Sequence, residues 1–273
     1  MTDFEHLKLS LESDGRTALL ELDHGKANEM GTPQLEDFER LTSALHGARA
    51  PTALITFSRR VSRRGTPIFI AGANVTERAG WSDDQVKAHV RWQRKTLADF
   101  RRAPVFHIAV VSGVALGWGT EYLLTADYRI AVPGAVFALP ETGLGILPGA
   151  GGTSELHSQI GIAHALRLGM TGERIGPAEA QRIGLVQELA ESLDAGLQRA
   201  RELAAMAASR SPTAIAAFKG SVLDSSGRMA EQRAEIEARA YERCVDTGEA
   251  AIGRANFAAI REGKTPPWGN RSL

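Results

Sequence analysis

Two glutamates and a set of bunched glycines are the residues in this 273-residue chain whose types and spacing could do chemistry. Gly117-Trp118-Gly119 runs into Thr120-Glu121, which reads as the start of a helix. Glu141 follows twenty residues later inside Pro140–Gly152, a stretch holding Pro148 and five glycines. Backbone N–H groups at a helix start have no intrahelical acceptor and carry partial positive charge, so they suit a developing oxyanion. Ala71-Gly72-Ala73-Asn74, directly after the apolar Ile68-Phe69-Ile70, is placed to supply a second such N–H. Two donors converging on one oxygen with carboxylates nearby form a constellation for enolate chemistry on an activated acyl group. Singly, each feature is ordinary: a Gly-x-Gly is a tight turn and a glutamate at a helix start serves the dipole. A dinucleotide site does not fit the same glycines. The first strands carry only Gly15 and Gly25 where Gly-x-Gly-x-x-Gly would be needed, and no phosphate-loop string is present.

The elements that must position these groups are strands alternating with helices. Leu7–Glu12 and Thr17–Leu22 flank Asp14-Gly15 as a hairpin. Thr32 is expected as the cap of a helix with Pro33 at its first position, and Leu35, Phe38, Leu41 and Leu45 recur at helical spacing. Strands follow at 52–57 and 68–70, a helix over roughly 82–101, and an apolar strand at 105–111. Residues 112–119 read as a glycine-punctuated loop, with a buried helix from Thr120 to Ala126. Brief strands at 128–132 and 136–138 precede helices near 154–160, 162–170 and 177–183. From Leu193 the strand signals stop and alanine-rich helical periodicity continues to about Arg261. The pattern predicts an α/β core over 1–192 and a C-terminal all-helical region over 193–273.

Composition narrows the class. Lys+Arg and Asp+Glu number 32 each, so the formal charge is zero, which counts against a general nucleic-acid or anionic-membrane binder. Hydrophobic residues make up 43%, as in a folded globular chain. Cys244 stands alone, which rules out an intrachain disulfide and a cysteine metal site. His157 and His164 lack a third ligand at metal spacing, so no metal is expected. His107, in a strongly apolar strand, reads as a core histidine. No signal peptide or spanning segment is visible at residues 1–10 or 105–116, and a cytoplasmic protein is the expectation.

Residues 113–131, Gly113-Val-Ala-Leu-Gly-Trp-Gly-Thr-Glu121-Tyr-Leu-Leu-Thr-Ala-Asp-Tyr-Arg-Ile-Ala131, resemble the central signature of the enoyl-CoA hydratase/isomerase (crotonase) superfamily. So do residues 137–153, from Phe137-Ala-Leu-Pro-Glu141 to Pro148-Gly-Ala-Gly-Gly-Thr153. Lys26-Ala27-Asn28, Phe69–Asn74, Thr171–Ile175 and Gly184-Leu185-Val186 are flanking matches. The resemblance implies a crotonase-like ββα spiral core, a helical region that builds homotrimers or dimers of trimers, and an acyl-CoA thioester substrate. It also implies no resident cofactor, CoA entering with the substrate. It places the oxyanion-hole donors on the backbone N–H groups of Ala73 and Trp118. The two catalytic glutamates of hydratases fall on Glu121 and Glu141, the former taking a proton from water and the latter protonating the α-carbon. Lys26, Ala27, Ala71, Gly72, Asn74, Gly117 and Gly149 fall along the substrate and CoA path. Lys219 matches a lysine near the nucleotide end, and Phe257 an aromatic lining the acyl site.

Three departures bear on the substrate. Trp118 stands where the family usually has a small residue, Asn74 replaces a frequent Asp, and the connection containing Arg59, Arg60, Arg63 and Arg64 is longer than usual. The retained pair of glutamates favours reversible water addition to a 2-enoyl-CoA. Isomerisation, decarboxylation and thioester hydrolysis are neighbouring chemistries of the same pocket. The reading from another class is a binder that contacts RNA or an acidic partner through Arg59–Arg64, though a solvated loop is the simpler meaning of those arginines. Met229, Ile236, Ala240 and Val245 over 228–245 mark a helix expected to bury surface against another subunit.

Overall fold

A computed structural model describes residues 4–272. The hairpin is β1 (Lys8–Leu11) and β2 (Thr17–Glu21), antiparallel, its turn held by Asp14 Oδ1 accepting from the N–H groups of Arg16 and Thr17 at 2.8 and 2.9 Å. Next, α1 (Thr32–Leu45) is capped by Gly31 rather than Thr32, with Gln34 Oε1 accepting from Gly31 N at 3.0 Å. Then come β3 (Ala53–Phe57), β4 (Ile68–Ile70), a short 3-10 turn (Val75–Arg78) and α2 (Asp83–Arg101). The chain continues as β5 (Phe106–Val111), β6 (Val114–Leu116), α3 (Trp118–Leu123), β7 (Tyr128–Ala131) and β8 (Val136–Ala138). A second 3-10 turn (Pro140–Leu144) leads to α4 (Leu156–Ile160), α5 (Ile162–Thr171), α6 (Pro177–Arg182) and β9 (Glu188–Leu189). The remainder is helical: α7 (Leu193–Ala208), α8 (Pro212–Ser225), α9 (Ala230–Asp246), α10 (Glu249–Ala255) and α11 (Phe257–Arg261).

Successive turns of the chain place one strand in each of two sheets. The larger has the order β1-β2-β3-β5-β7-β9, parallel beyond the hairpin, and the smaller is β4-β6-β8, all parallel. This is the ββα spiral of the crotonase fold. Alternation within the large sheet explains its two faces. Ala53, Ile55, Phe57, Ile108, Val110, Ile130 and Val132 point to one side and are covered by Leu197, Ala200 and Ala204 of α7. Leu54, Ala109, Val111 and Ala131 point to the other, into the core shared with the small sheet and α1 to α3. Helix α7 is therefore a wall of the core. Among the described residues no helix is long and apolar enough to cross a membrane.

The stretch 112–119 is not simply a loop. It contains β6, too short to show alternation and defined by pairing to β4 and β8. Helix α3 starts at Trp118, two residues before the expected Thr120, and all six of its residues are buried. The connection rich in arginine is partly tied down. Arg59 pairs with Asp194 at 3.1 Å and Arg60 with Asp23 at 3.0 Å, so two of its four guanidinium groups are engaged within the chain. His107 is the satisfied core histidine expected, its Nε2 2.9 Å from Thr56 Oγ1 and its pKa pushed down to about 3 by burial.

Candidate active site

The site is assembled where β6 ends and α3 begins. Gly117 joins them with φ +52°, and its N–H bonds Ala138 O at 2.8 Å, stitching α3 to the end of β8. Its α-carbon faces the Glu141 carboxylate closely enough that a side-chain carbon there would lie inside it. Conformation requires glycine at this position, and a side chain there would also displace the Glu141 carboxylate. The next residue, Trp118, opens α3, and its N–H has no protein acceptor among the described residues. Ala73 is in the same state. Its neighbours are paired, Met30 N to Gly72 O at 3.0 Å and Asn74 N to Met30 O at 2.8 Å, while the N–H of Ala73 has no acceptor among the described residues. Both donors border one cavity of about 250 Å³ that Glu121 and Glu141 also line.

Glu121 is 3% exposed. Its Oε1 accepts from Ala150 N at 2.7 Å and Gly152 N at 2.8 Å, so the Gly149–Gly152 loop wraps the carboxylate. Gly152 allows this approach because a side chain would strike Pro148. Burial pushes the Glu121 carboxyl up to about 7; the two N–H bonds pull back, and nearby Glu141 adds to the rise. Glu141, half-buried at the start of the second 3-10 turn, is also raised by burial, and its Oε2 has no hydrogen-bond partner among the described residues. Two carboxyls lining one cavity, each resisting ionisation, are arranged to hold and move protons.

Of the residues expected along the substrate path, Ala71, Gly72, Ala73, Gly117, Trp118 and Gly149 line the cavity. Ala27 and Asn74 flank it through backbone bonds, Ala71 N donating to Ala27 O at 3.1 Å, and Lys26 is exposed on the same loop. The Trp118 side chain turns away into the core, stacked on Tyr122 with centroids 5.8 Å apart and 2% exposed. In a single copy of the chain two of the expected residues stand away from this cavity. Lys219 Nζ is 2.8 Å from Asp127 Oδ2 and 3.0 Å from Val105 O, beside an apolar cavity of about 780 Å³ under α7 and α8. Burial of the stem and the Asp127 charge hold it inward. Phe257 is 63% exposed on α11 and lines none of the glutamate cavity.

Several residues escaped the sequence reading. Asn28 is fully buried with φ +52°; its Nδ2 reaches Leu22 O, Ser58 Oγ and Phe69 O within 3.1 Å and its Oδ1 accepts from His24 N. It clamps the 25–29 loop to β4, and an Asn after Gly25-Lys26-Ala27 is a legible left-handed turn signal. Arg129 is buried beneath α3, donating to Leu123 O and Leu185 O at 2.9 and 2.7 Å. It satisfies a carbonyl at the C-terminal end of the helix whose N-terminus faces the cavity. Arg78 and Gln93 also line the cavity. The signal for Gln93 was present: His89, Gln93 and Thr96 share the buried stripe of α2 with Leu97 and Phe100.

This spiral, with two open N–H donors and a carboxyl pair around one cavity, is the architecture of the crotonase superfamily. Residues 63–271 match the family model described as enoyl-CoA hydratase/isomerase, and the chain belongs to that family, whose substrates are acyl-CoA thioesters. It is 30% identical over 256 residues to the short-chain-enoyl-CoA hydratase of Clostridium acetobutylicum, covering 92% of this chain and 95% of that protein. It is 37% identical over 209 residues to the human mitochondrial enoyl-CoA hydratase domain-containing protein 2, covering 74% of this chain and 69% of that one. The crystal structure of an enoyl-CoA hydratase from Bacillus anthracis superposes with a TM-score of 0.86 at 30% identity, covering 97% of this chain and 99% of the other.

Proposed function

We propose that this chain is a 2-enoyl-CoA hydratase that adds water reversibly across the conjugated double bond. The observation that carries the reading is that Glu121 and Glu141 line one cavity with the acceptor-free N–H groups of Ala73 and Trp118. The thioester oxygen accepts from both N–H groups, which draws electrons from the β-carbon and stabilises the enolate formed on addition. One such donor contributes about 2.7–4 kcal/mol. With Oε1 of Glu121 occupied by Ala150 and Gly152 N–H, its second oxygen takes the proton of the attacking water. Glu141 Oε2 has no donor beside it, which favours the protonated form that delivers hydrogen to the α-carbon. The pair works singly protonated, and its apparent pKa values belong to the pair. Backbone donors and carboxyls cover polarisation, base and acid, so the reading needs no resident cofactor.

Helix α9 has no buried residue, and Met229 at its N-cap and Tyr241 on it are each 72% exposed. This supports the second part of the reading, that α8 and α9 meet other copies in a trimer or dimer of trimers. Hydration is tested by following loss of enoyl-thioester absorbance for crotonyl-CoA and longer enoyl-CoAs with the unaltered protein, Glu121→Gln, Glu141→Gln and the double variant. Each single change lowers kcat by about 10²–10⁴-fold with thioester binding retained, and the double change costs far less than the product. If Glu141→Gln alone matters, the reaction is a one-carboxyl isomerisation. If the unaltered protein hydrates none of them, the reading fails.

A further inference from the structure

The loop that wraps Glu121 is itself held from behind. The Ala150 N–H that Glu121 Oε1 accepts at 2.7 Å shares a peptide unit with the Gly149 C=O, and that oxygen accepts from Arg94 Nε at 2.7 Å. In a trans peptide the C=O and the N–H point in opposite directions, so one peptide unit spans from the guanidinium to the carboxylate. Helix α2 places the arginine, since Val90, Arg94, Leu97 and Arg101 recur at helical spacing. The loop lies close to this face because Gly149 has no side chain to strike Val90. Arg94 and Glu121 also line a second cavity, of about 330 Å³, which shares only Glu121 with the glutamate cavity. The other charged groups there are committed, Arg101 to Glu155 and Arg102 to Asp224. On the substrate side, Arg78 bonds Gln93 Oε1, and Glu141 carries the same charge as Glu121 when ionised. Among the described residues Arg94 has no ion-pair partner, and its hydrogen bond goes to Gly149 O.

We propose that Arg94 is a positioning residue for Glu121, acting through the Gly149–Ala150 peptide to hold the carboxyl in place and to support its ionised form. The inference rests on the reading that Glu121 is the base of the hydration site, and it adds the group that sets that base's charge. A guanidinium on the C=O polarises the peptide and makes the Ala150 N–H a stronger donor to a carboxylate. Arg94 is exposed, so water and salt screen its direct field. The hydrogen-bonded route is shielded from that screening, because Ala150 and Glu121 are buried. Burial raises the Glu121 carboxyl and Glu141 adds to the rise, while the Gly152 and Ala150 N–H groups and Arg94 pull it back. Arginine suits this role because it stays charged at every pH at which the site would work.

The test is the pH dependence of kcat for crotonyl-CoA hydration in the unaltered protein, Arg94→Leu, Arg94→Gln and Arg94→Lys. Alongside it, the protonated-carboxyl infrared band is titrated without substrate, each protein being compared with the same protein carrying Glu121→Gln. A base must be ionised to accept a proton, so kcat falls on the acid side, with a midpoint that belongs to the Glu121–Glu141 pair. In Arg94→Leu that midpoint should move up by about half to one pH unit, less than for a carboxyl in direct contact with a cation. On the acid limb this lowers kcat by about three- to tenfold, while kcat above both midpoints stays nearly unchanged. Arg94→Lys, which keeps the charge, should return the midpoint at least halfway, and Arg94→Gln, which keeps only a neutral N–H, should not. An unmoved midpoint in Arg94→Leu, or a loss equal at every pH that Arg94→Gln repairs, overturns the inference and leaves hydration standing. No hydration by the unaltered protein, with the Glu121 infrared titration moved upward in Arg94→Leu, overturns the hydratase reading and keeps the link between Arg94 and Glu121. No hydration and no infrared movement overturn both. If Arg94→Leu does not fold by circular dichroism, Arg94→Gln and Arg94→Lys decide by the same criteria.

Discussion

Glu121 sets catalytic use against stability, and the conflict is measurable. Its carboxyl titrates at about 7 in the folded chain against an ordinary 4.5, chiefly because burial disfavours the charged form. Between these values the folded state binds more protons than the unfolded state, so stability falls as pH rises through the window. The favourable contribution is complete below the unfolded value of 4.5 and is lost by the time pH passes the folded value of about 7. Between pH 5 and pH 8.5 the loss integrates to about 2–3 kcal/mol at 1.36 kcal/mol per pKa step. Glu121→Gln keeps a side-chain oxygen for the Ala150 and Gly152 N–H groups and removes the titration. Urea unfolding of both proteins at the two pH values should show Glu121→Gln gaining about 2–3 kcal/mol on the unaltered protein between pH 5 and 8.5, while its kcat falls. A stability difference that does not change with pH would refute the desolvation argument, whatever happened to activity. Such a gain is the expected sign when a site is strained for function.

Replacing Lys219 by Met leaves Asp127 without its cation, at a cost of about 2–3 kcal/mol in chemical denaturation, below that of a fully buried pair because Asp127 keeps some solvent contact. The ratio of KM for CoA and pantetheine thioesters should not move, and a selective rise for CoA would show that Lys219 reads the nucleotide after all. Light scattering across micromolar concentrations should give an oligomer, and monomeric behaviour throughout would remove the role given to α9.

Much of the fold and the outline of the site were legible in the linear order of residues. Short apolar runs in β2 and β3, helical spacing in α1 and α2, and Ser82 capping α2 through Gln85 are local patterns, each decided within a few residues. Glu121 and Glu141 with their flanking glycines were legible for the same reason, since a turn that admits no side chain declares itself by residue type. Strand β6 was not, because three residues carry no period and only pairing to β4 and β8 makes them a strand. Helix α7 read as part of a separate helical region, and only the apolar face of the large sheet claims it for the core. Lys219 read as a lysine near the nucleotide end of the substrate, and its contact with Asp127, 92 residues away in the chain, is visible only in the folded chain. Arg78 and Gln93 belong to two elements whose side chains meet only in the packed chain, with Glu77 drawn off to α1. Residue types and their short-range spacing state which chemistry is available and where backbone must come close. Which groups are left without partners is a property of the whole set of long-range contacts, and only the folded chain decides it.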